Sequence, residues 1–223
     1  MTTNGEEFHA ANLSTVLTNY FVKGKDGPVL DVEVIADPAA AASALDPIKG
    51  RLLAELTEPA SAATLASRMG MARQKVNYHL RALEGHQLVT EAGERQWGGL
   101  KERLLVATAA SYVVSPGALG PVASDPGRSE DRLSASYLIA LSARVVREVG
   151  DLWRTARTSN KRLPTLSIDA VIRFRSPADR AAFTKDLSEA VTSLAARYHD
   201  ESDSDGRSYR LVVAAYPKPK EDA

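Results

Sequence analysis

The sequence predicts an α+β protein in two parts, and three observations carry that prediction. Apolar residues recur at helical spacing from Ile48 to Leu83, interrupted at Pro59 and Gly70. Two alternating runs, "QLVTEAGERQW" and "LKERLLVATA", flank Gly98-Gly99 as a hairpin would. Beyond the Pro- and Gly-rich "PGALGPVASDPG", a long apolar-striped run precedes a strand, helix, strand order. The boundaries follow: an N-terminal extension over residues 1–30, a first domain over 31–115, a linker over 116–127, and over 128–223 a smaller α/β C-terminal domain with a long helix.

Asn12 to Val22 is apolar without a clear period and receives no element, whereas Val29 to Ile35 alternates and is β-branched, a short strand. Asp37-Pro38 and Asp46-Pro47 each open a helix, because Pro is tolerated in a first helical turn. Ser61 suits the N-cap of the next helix, in which Leu65, Ala66 and Met69 share a face before Gly70 closes it. Met71-Ala72 leaves room only for a tight corner. Val76, Leu80 and Leu83 then form the inner stripe of a third helix that ends near Gly85. Ser111 to Ser115 extends or joins the hairpin's sheet. The long helix runs from Glu130 to Arg157, with Leu133, Tyr137, Leu138, Leu141, Val145, Val149, Leu152 and Trp153 on or near its inner face. Thr165 to Phe174 is a strand, and the helix from Pro177 to Tyr198 spaces Phe183, Leu187, Val191 and Leu194 for burial. "SYRLVVAAYP" is the final strand, so a right-handed crossover places both strands in one sheet.

Composition excludes several classes. The chain has 223 residues, 44% hydrophobic and 25% charged, with no cysteine. That removes disulfides, thiolate metal sites and a cysteine nucleophile, and it fits a cytoplasmic protein. No apolar run approaches the ~20 residues that span a bilayer, so no membrane partner is expected. The start, "MTTNGEEFHAANLS", lacks the basic-then-apolar layout of a secretory signal. Net charge is zero, yet residues 1–47 balance to −5, residues 48–105 to +3 and residues 106–223 to +2. The cations of the middle part gather in "TLASRMGMARQKVNYHLRALEGHQLV", where Arg68, Arg73, Lys75 and Arg81 stand with no carboxylate between them.

Two helices joined at a glycine corner and followed by a β-hairpin form the winged helix-turn-helix layout. If Val76, Leu80 and Leu83 face inward, the helical period turns Arg73, Gln74, Lys75, Asn77, Tyr78 and Arg81 outward or onto the flank. Amide side chains can pair with adenine edges, Arg and Lys with guanine, and any of them can hold phosphate. Base reading therefore falls to Arg73, Gln74, Lys75, Asn77 and Tyr78 in the first turns, and a phosphate contact to Arg81 one turn on. The hairpin offers Arg95, Gln96, Lys101 and Arg103 as wing contacts, with Trp97 beside the turn. The expected partner is double-stranded DNA.

Asp46 to Trp97 resembles the ArsR-type winged helix-turn-helix repressors. "LDPIKGRLLAEL" is similar to the helix that opens that domain, "ATLASRMGMARQKVNYHLRALEGHQLV" to its two reading helices, and "ERQWGG" to its wing. The resemblance implies a homodimer that represses transcription at a near-palindromic operator and releases it when an effector binds. Metal-sensing members of that family use Cys, or His with carboxylates; this chain has no Cys and no such cluster, so neither metal nor cofactor is expected.

Several residues admit two readings. Tyr78 is either a base reader or a half-buried aromatic. His79 is expected to be a satisfied core histidine, and His9, His86 and His199 are isolated. "DESDSDG" resembles part of a calcium loop, but the loop's last ligand position falls on Val212, so a solvated acidic loop is expected. Arg173 and Arg175 are expected to face solvent. Tyr137, Trp153, Phe174, Phe183 and Tyr198 are expected in the core rather than around an effector. The C-terminal half has no Gly-rich phosphate loop, no Ser elbow and no paired His and carboxylate, so no enzyme is expected. Two alternatives stand beside the regulator: a protein-interaction module, and a sensor whose C-terminal domain binds a small molecule.

Overall fold

The computed structural model describes residues 29–97, 100–202 and 204–220. Asn12 to Val22, His9, the Gly98-Gly99 turn and Asp203 lie outside them, as does the Trp97 side chain. The chain divides into two units, one from Phe21 to Pro164 and one that contains Thr165–Ala223.

The first unit runs β1 (Glu33–Ile35), α1 (Pro38–Leu45), α2 (Pro47–Glu55), β2 (Ala60–Ser61), α3 (Ala62–Met69), α4 (Arg73–Gly85), β3 (Val89–Trp97), β4 (Leu100–Ala107) and β5 (Tyr112–Val114). Two 3-10 helices, Pro116–Val122 and Pro126–Arg128, lead into α5 (Ala135–Thr158). Both Asp-Pro pairs act as expected. Asp37 accepts the Ala40 N–H at 2.7 Å, and Asp46 accepts those of Ile48 and Lys49 at 3.0 Å each. The Lys49 N–H is the main reason the Asp46 carboxyl titrates below its ordinary range. Ser61 caps α3 by accepting the Thr64 N–H, and Gly70 closes it in the left-handed conformation at φ 64, which glycine adopts without Cβ strain.

Leu52, Leu56, Leu65, Val76, Leu83 and Val106 are fully buried, and the surrounding cluster joins α1–α4 to the strands. The main sheet is antiparallel in the order β2-β4-β3, with a bulge in β3 between Glu91 and Gly93. β2 has no counterpart in the sequence reading, since two residues cannot display a period. β5 corrects an expectation: it pairs in parallel with β1 and does not join the hairpin's sheet. The Glu33 N–H donates to Ser111 O at 3.0 Å and the Ser115 N–H to Ile35 O at 2.8 Å, which hold this strand on β1, while the Tyr112 hydroxyl donates to Leu88 O at 2.8 Å.

Residues 116–127, read as a linker, form the 3-10 helices inside this unit. Arg144 of α5 holds Asp125 at 3.0 Å, and Arg128 donates to Pro121 O at 3.1 Å. Helix α5 begins at Ala135 rather than Glu130 because Ser134 caps it by accepting the Tyr137 N–H, while Asp131 turns the chain just before. Its buried face also differs from expectation. Ala140, Ala143 and Gly150 are buried, whereas Leu133 precedes the helix fully exposed and Val149, Leu152 and Trp153 are exposed. Gly150 explains the choice: a Cβ there would meet Val34 Cγ1 at 2.8 Å, so the small residues let α5 lie close on β1. Arg157 adds an ion pair to Glu33 at 2.6 Å.

In the unit containing Thr165–Ala223, α6 (Pro177–Tyr198) is capped by Ser176, which accepts the Asp179 N–H at 3.0 Å. Phe174 packs on Phe183 with ring centroids 5.3 Å apart. The expected strands are corrected here: neither Thr165 to Phe174 nor Ser208 to Pro217 is in a strand, and no crossover sheet forms among the described residues. Leu166, Ile168, Val171, Leu211 and Val213 are exposed, and α6 buries no residue, with Phe183, Leu187 and Val191 only half-covered. Trp153 and Tyr198, expected in the core, are exposed too. Alternation and β-branching give these runs their strand character, but a strand also needs a hydrogen-bonded neighbour. No helix among the described residues is long and apolar enough to cross a membrane.

Candidate nucleic-acid interface

Helix α4 is two-sided. Val76, His79, Leu80 and Leu83 are buried against the rest of the first unit. At about 100° per residue, Arg73, Asn77, Arg81, Gln74 and Tyr78 fall on one opposite stripe, with Lys75 on the flank next to His79. The structure brings the first five together around a shallow concavity on the outer face of the helix. Tyr78 is 70% exposed, which removes the half-buried alternative. Its ring stands edge-on to His79, with centroids 5.4 Å apart. His79 is buried as expected but unsatisfied: neither ring nitrogen has a hydrogen-bond partner. The corner before α4 is made by the Met71 N–H donating to Ala66 O at 3.0 Å, and Ala72, the N-cap of α4, gives it no side-chain cap.

The wing cations are placed differently. Arg95 pairs with Glu102 at 2.9 Å, and Lys101 with Glu94 at 3.0 Å. Arg103 binds Glu91 at 2.7 Å and forks onto both carboxylate oxygens of Glu84 in the last turn of α4. Gln96 is exposed, opposite Lys101 in the ladder. Hydrogen bonding from Arg103 holds the Glu84 carboxyl below its ordinary range, and that from Arg95, then Ser61, does the same for Glu102. Arg68, on α3, is tied to Glu55 at 3.3 Å. Arg73, Lys75 and Arg81 make no ion pair among the described residues; Arg73 acts on Glu102, and Arg81 on Glu84, only through space.

Sequence reasoning missed this carboxylate set of Glu84, Glu91, Glu94 and Glu102. A signal existed, because Arg95 faces Glu102 across the ladder and opposite charges on facing strands pair. It also missed Thr64, whose hydroxyl lies 3.4 Å from Arg95. Between α4 and the wing, a second concavity gathers Ser61, Arg73, Asn77, Lys101, Glu102 and Arg103.

Helices α2–α4, the glycine corner and the β2-β4-β3 sheet make a winged helix-turn-helix domain. Residues 44–92, from the end of α1 into β3, match the family described as "Helix-turn-helix domain". No curated protein matches the chain.

Proposed function

We propose that the chain is a DNA-binding transcriptional regulator, a repressor of the ArsR-like kind and not an enzyme, that works in the cytoplasm as a homodimer on a near-palindromic operator. The observation that carries this reading is the outer stripe of α4, where Arg73, Gln74, Asn77, Tyr78 and Arg81 stand together beside a hairpin. Arg73, Gln74, Lys75, Asn77 and Tyr78 read bases and Arg81 holds phosphate, while the wing flanks the duplex with Gln96 exposed and with Arg95 and Lys101 held on their own carboxylates. Dimerisation is supported by the exposed apolar side chains of α5 and of Thr165 to Phe174, which a second copy would cover. An effector bound in the unit containing Thr165–Ala223 would regulate release.

The test is selection of bound fragments from genomic DNA, followed by gel shifts of Arg73→Ala, Gln74→Ala and Arg81→Ala on the selected and on random duplexes. The first two variants lose preference for the selected site, and the third weakens both duplexes alike. Equal behaviour of all three refutes the assignment, and sedimentation showing only monomer with DNA present removes the dimer.

A further inference from the structure

The Arg103 guanidinium is occupied on both sides. Nε donates to Glu91 at 2.7 Å, Nη1 donates to Glu84 Oε2 at 3.3 Å, and Nη2 to Glu84 Oε1. Glu84 lies in the last turn of α4, Glu91 near the root of β3, and Arg103 in β4, so one side chain ties the recognition helix to both wing strands. The attachment sits at a place that needs one. The bulge follows Glu91, with Gly93 at φ 141, and a bulge bends and twists its strand. The ladder alone therefore does not set the angle at which the wing leaves α4.

We propose that Arg103 is a positioning residue, which bridges Glu84 and Glu91 to fix the wing's angle against α4 and touches no phosphate itself. The proposal rests on the DNA-reading function above. Three of the guanidinium's five donors already serve carboxylates, and the group of one cation and two anions is net negative. Turning Arg103 to a phosphate would leave Glu84 and Glu91 as unpaired anions beside the DNA backbone. Arg73, Lys75 and Arg81 of α4, which make no ion pair among the described residues, carry no such penalty.

The test measures duplex affinity of the full chain across a salt series for Arg103→Gln, Arg103→Lys, Glu84→Gln and the Arg103→Gln/Glu84→Gln double variant. Each single variant is expected to lose about five- to ten-fold on the selected duplex, the scale of two exposed ion pairs acting together. The double variant is no weaker than the worse single one, and the salt slope stays that of the parent. Random-duplex affinity moves by less than about two-fold, the scatter of independent sites. Arg103→Lys keeps the charge but not the fork, and stays as weak as Arg103→Gln. Glu84→Gln binding as tightly as the parent, with a slope shallower by about 1.8 per dimer in Arg103→Gln, would make Arg103 a phosphate contact and overturn the proposal. Equal losses on both duplexes alongside a falling Tm would make it a mere strut of the fold and overturn it too. If the parent chain binds no duplex at low salt, the DNA-reading function fails and this goes with it; the other adverse outcomes remove Arg103's role alone.

Discussion

Salt dependence gives the sharpest test of which cations meet DNA. Each phosphate neutralised contributes about −0.9 to the slope of log affinity against log salt. On α4, Arg73, Lys75 and Arg81 make no ion pair among the described residues, whereas Arg95, Lys101 and Arg103 each hold a carboxylate on the wing or at its junction with α4. If only the α4 set releases counterions, with Arg73 and Lys75 resting on phosphate where a random duplex offers no matching base, the proposed dimer shows a slope of about −5.4, and raising salt from about 50 to about 200 mM weakens it about 2,000-fold. If the wing cations also meet phosphate, the slope doubles to about −11 and the same change costs about three-million-fold. Fluorescence anisotropy titrations on a random duplex across that range separate the two easily. A slope near −11 would refute the inference that the wing is electrically spent on itself. A slope near zero would remove phosphate binding altogether.

Three further outcomes follow from packing and ionisation. Leu80 is 2% exposed beneath the outer stripe of α4, so Leu80→Ala should cost about 2–5 kcal/mol in urea unfolding; a loss under about 1 kcal/mol would mean α4 is not held by that face. Gly150→Ala should destabilise by about 1 kcal/mol, because crowding Val34 (about 1–3 kcal/mol) outweighs the helix propensity gained (about 1 kcal/mol). Adding Val34→Ala should recover most of that loss in thermal melts. Glu84 binds its proton less readily folded than unfolded, so its contribution is full above its ordinary value of 4.5 and fades as pH falls through the lower folded one. The Tm difference between the parent and Glu84→Gln should be constant from about pH 7 to about pH 5 and shrink below that; a difference that grows in acid would reverse the assignment.

Much of the winged domain was legible because its cues are local. A capping aspartate before proline, a serine before an apolar run and a glycine after one each act within a few residues, and the structure uses Asp37, Asp46, Ser61 and Gly70 in those roles. What failed were inferences that depend on a distant neighbour. Helix α5 offers Leu141, Val145 and Leu152 as the apparent inner stripe, yet close approach to Val34 selects Ala140, Ala143 and Gly150. Leu166, Ile168 and Val171 have strand chemistry, but no ladder forms on them among the described residues.

The candidate site divides along the same line. On α4, a single helical period sorts the buried Val76, Leu80 and Leu83 from the outward Arg73, Gln74, Asn77 and Arg81, so charge composition and surface charge coincide there. On the wing they do not coincide. Arg95, Lys101 and Arg103 make the hairpin look basic residue by residue, but pairing in register, and the reach of Arg103 to Glu84, cancel that charge in space. A cation count along a hairpin therefore overstates its pull on a polyanion unless facing carboxylates are subtracted. Glu84 is the position where that subtraction required the fold, because it lies on another element and only the docking of α4 against β4 brings it to Arg103.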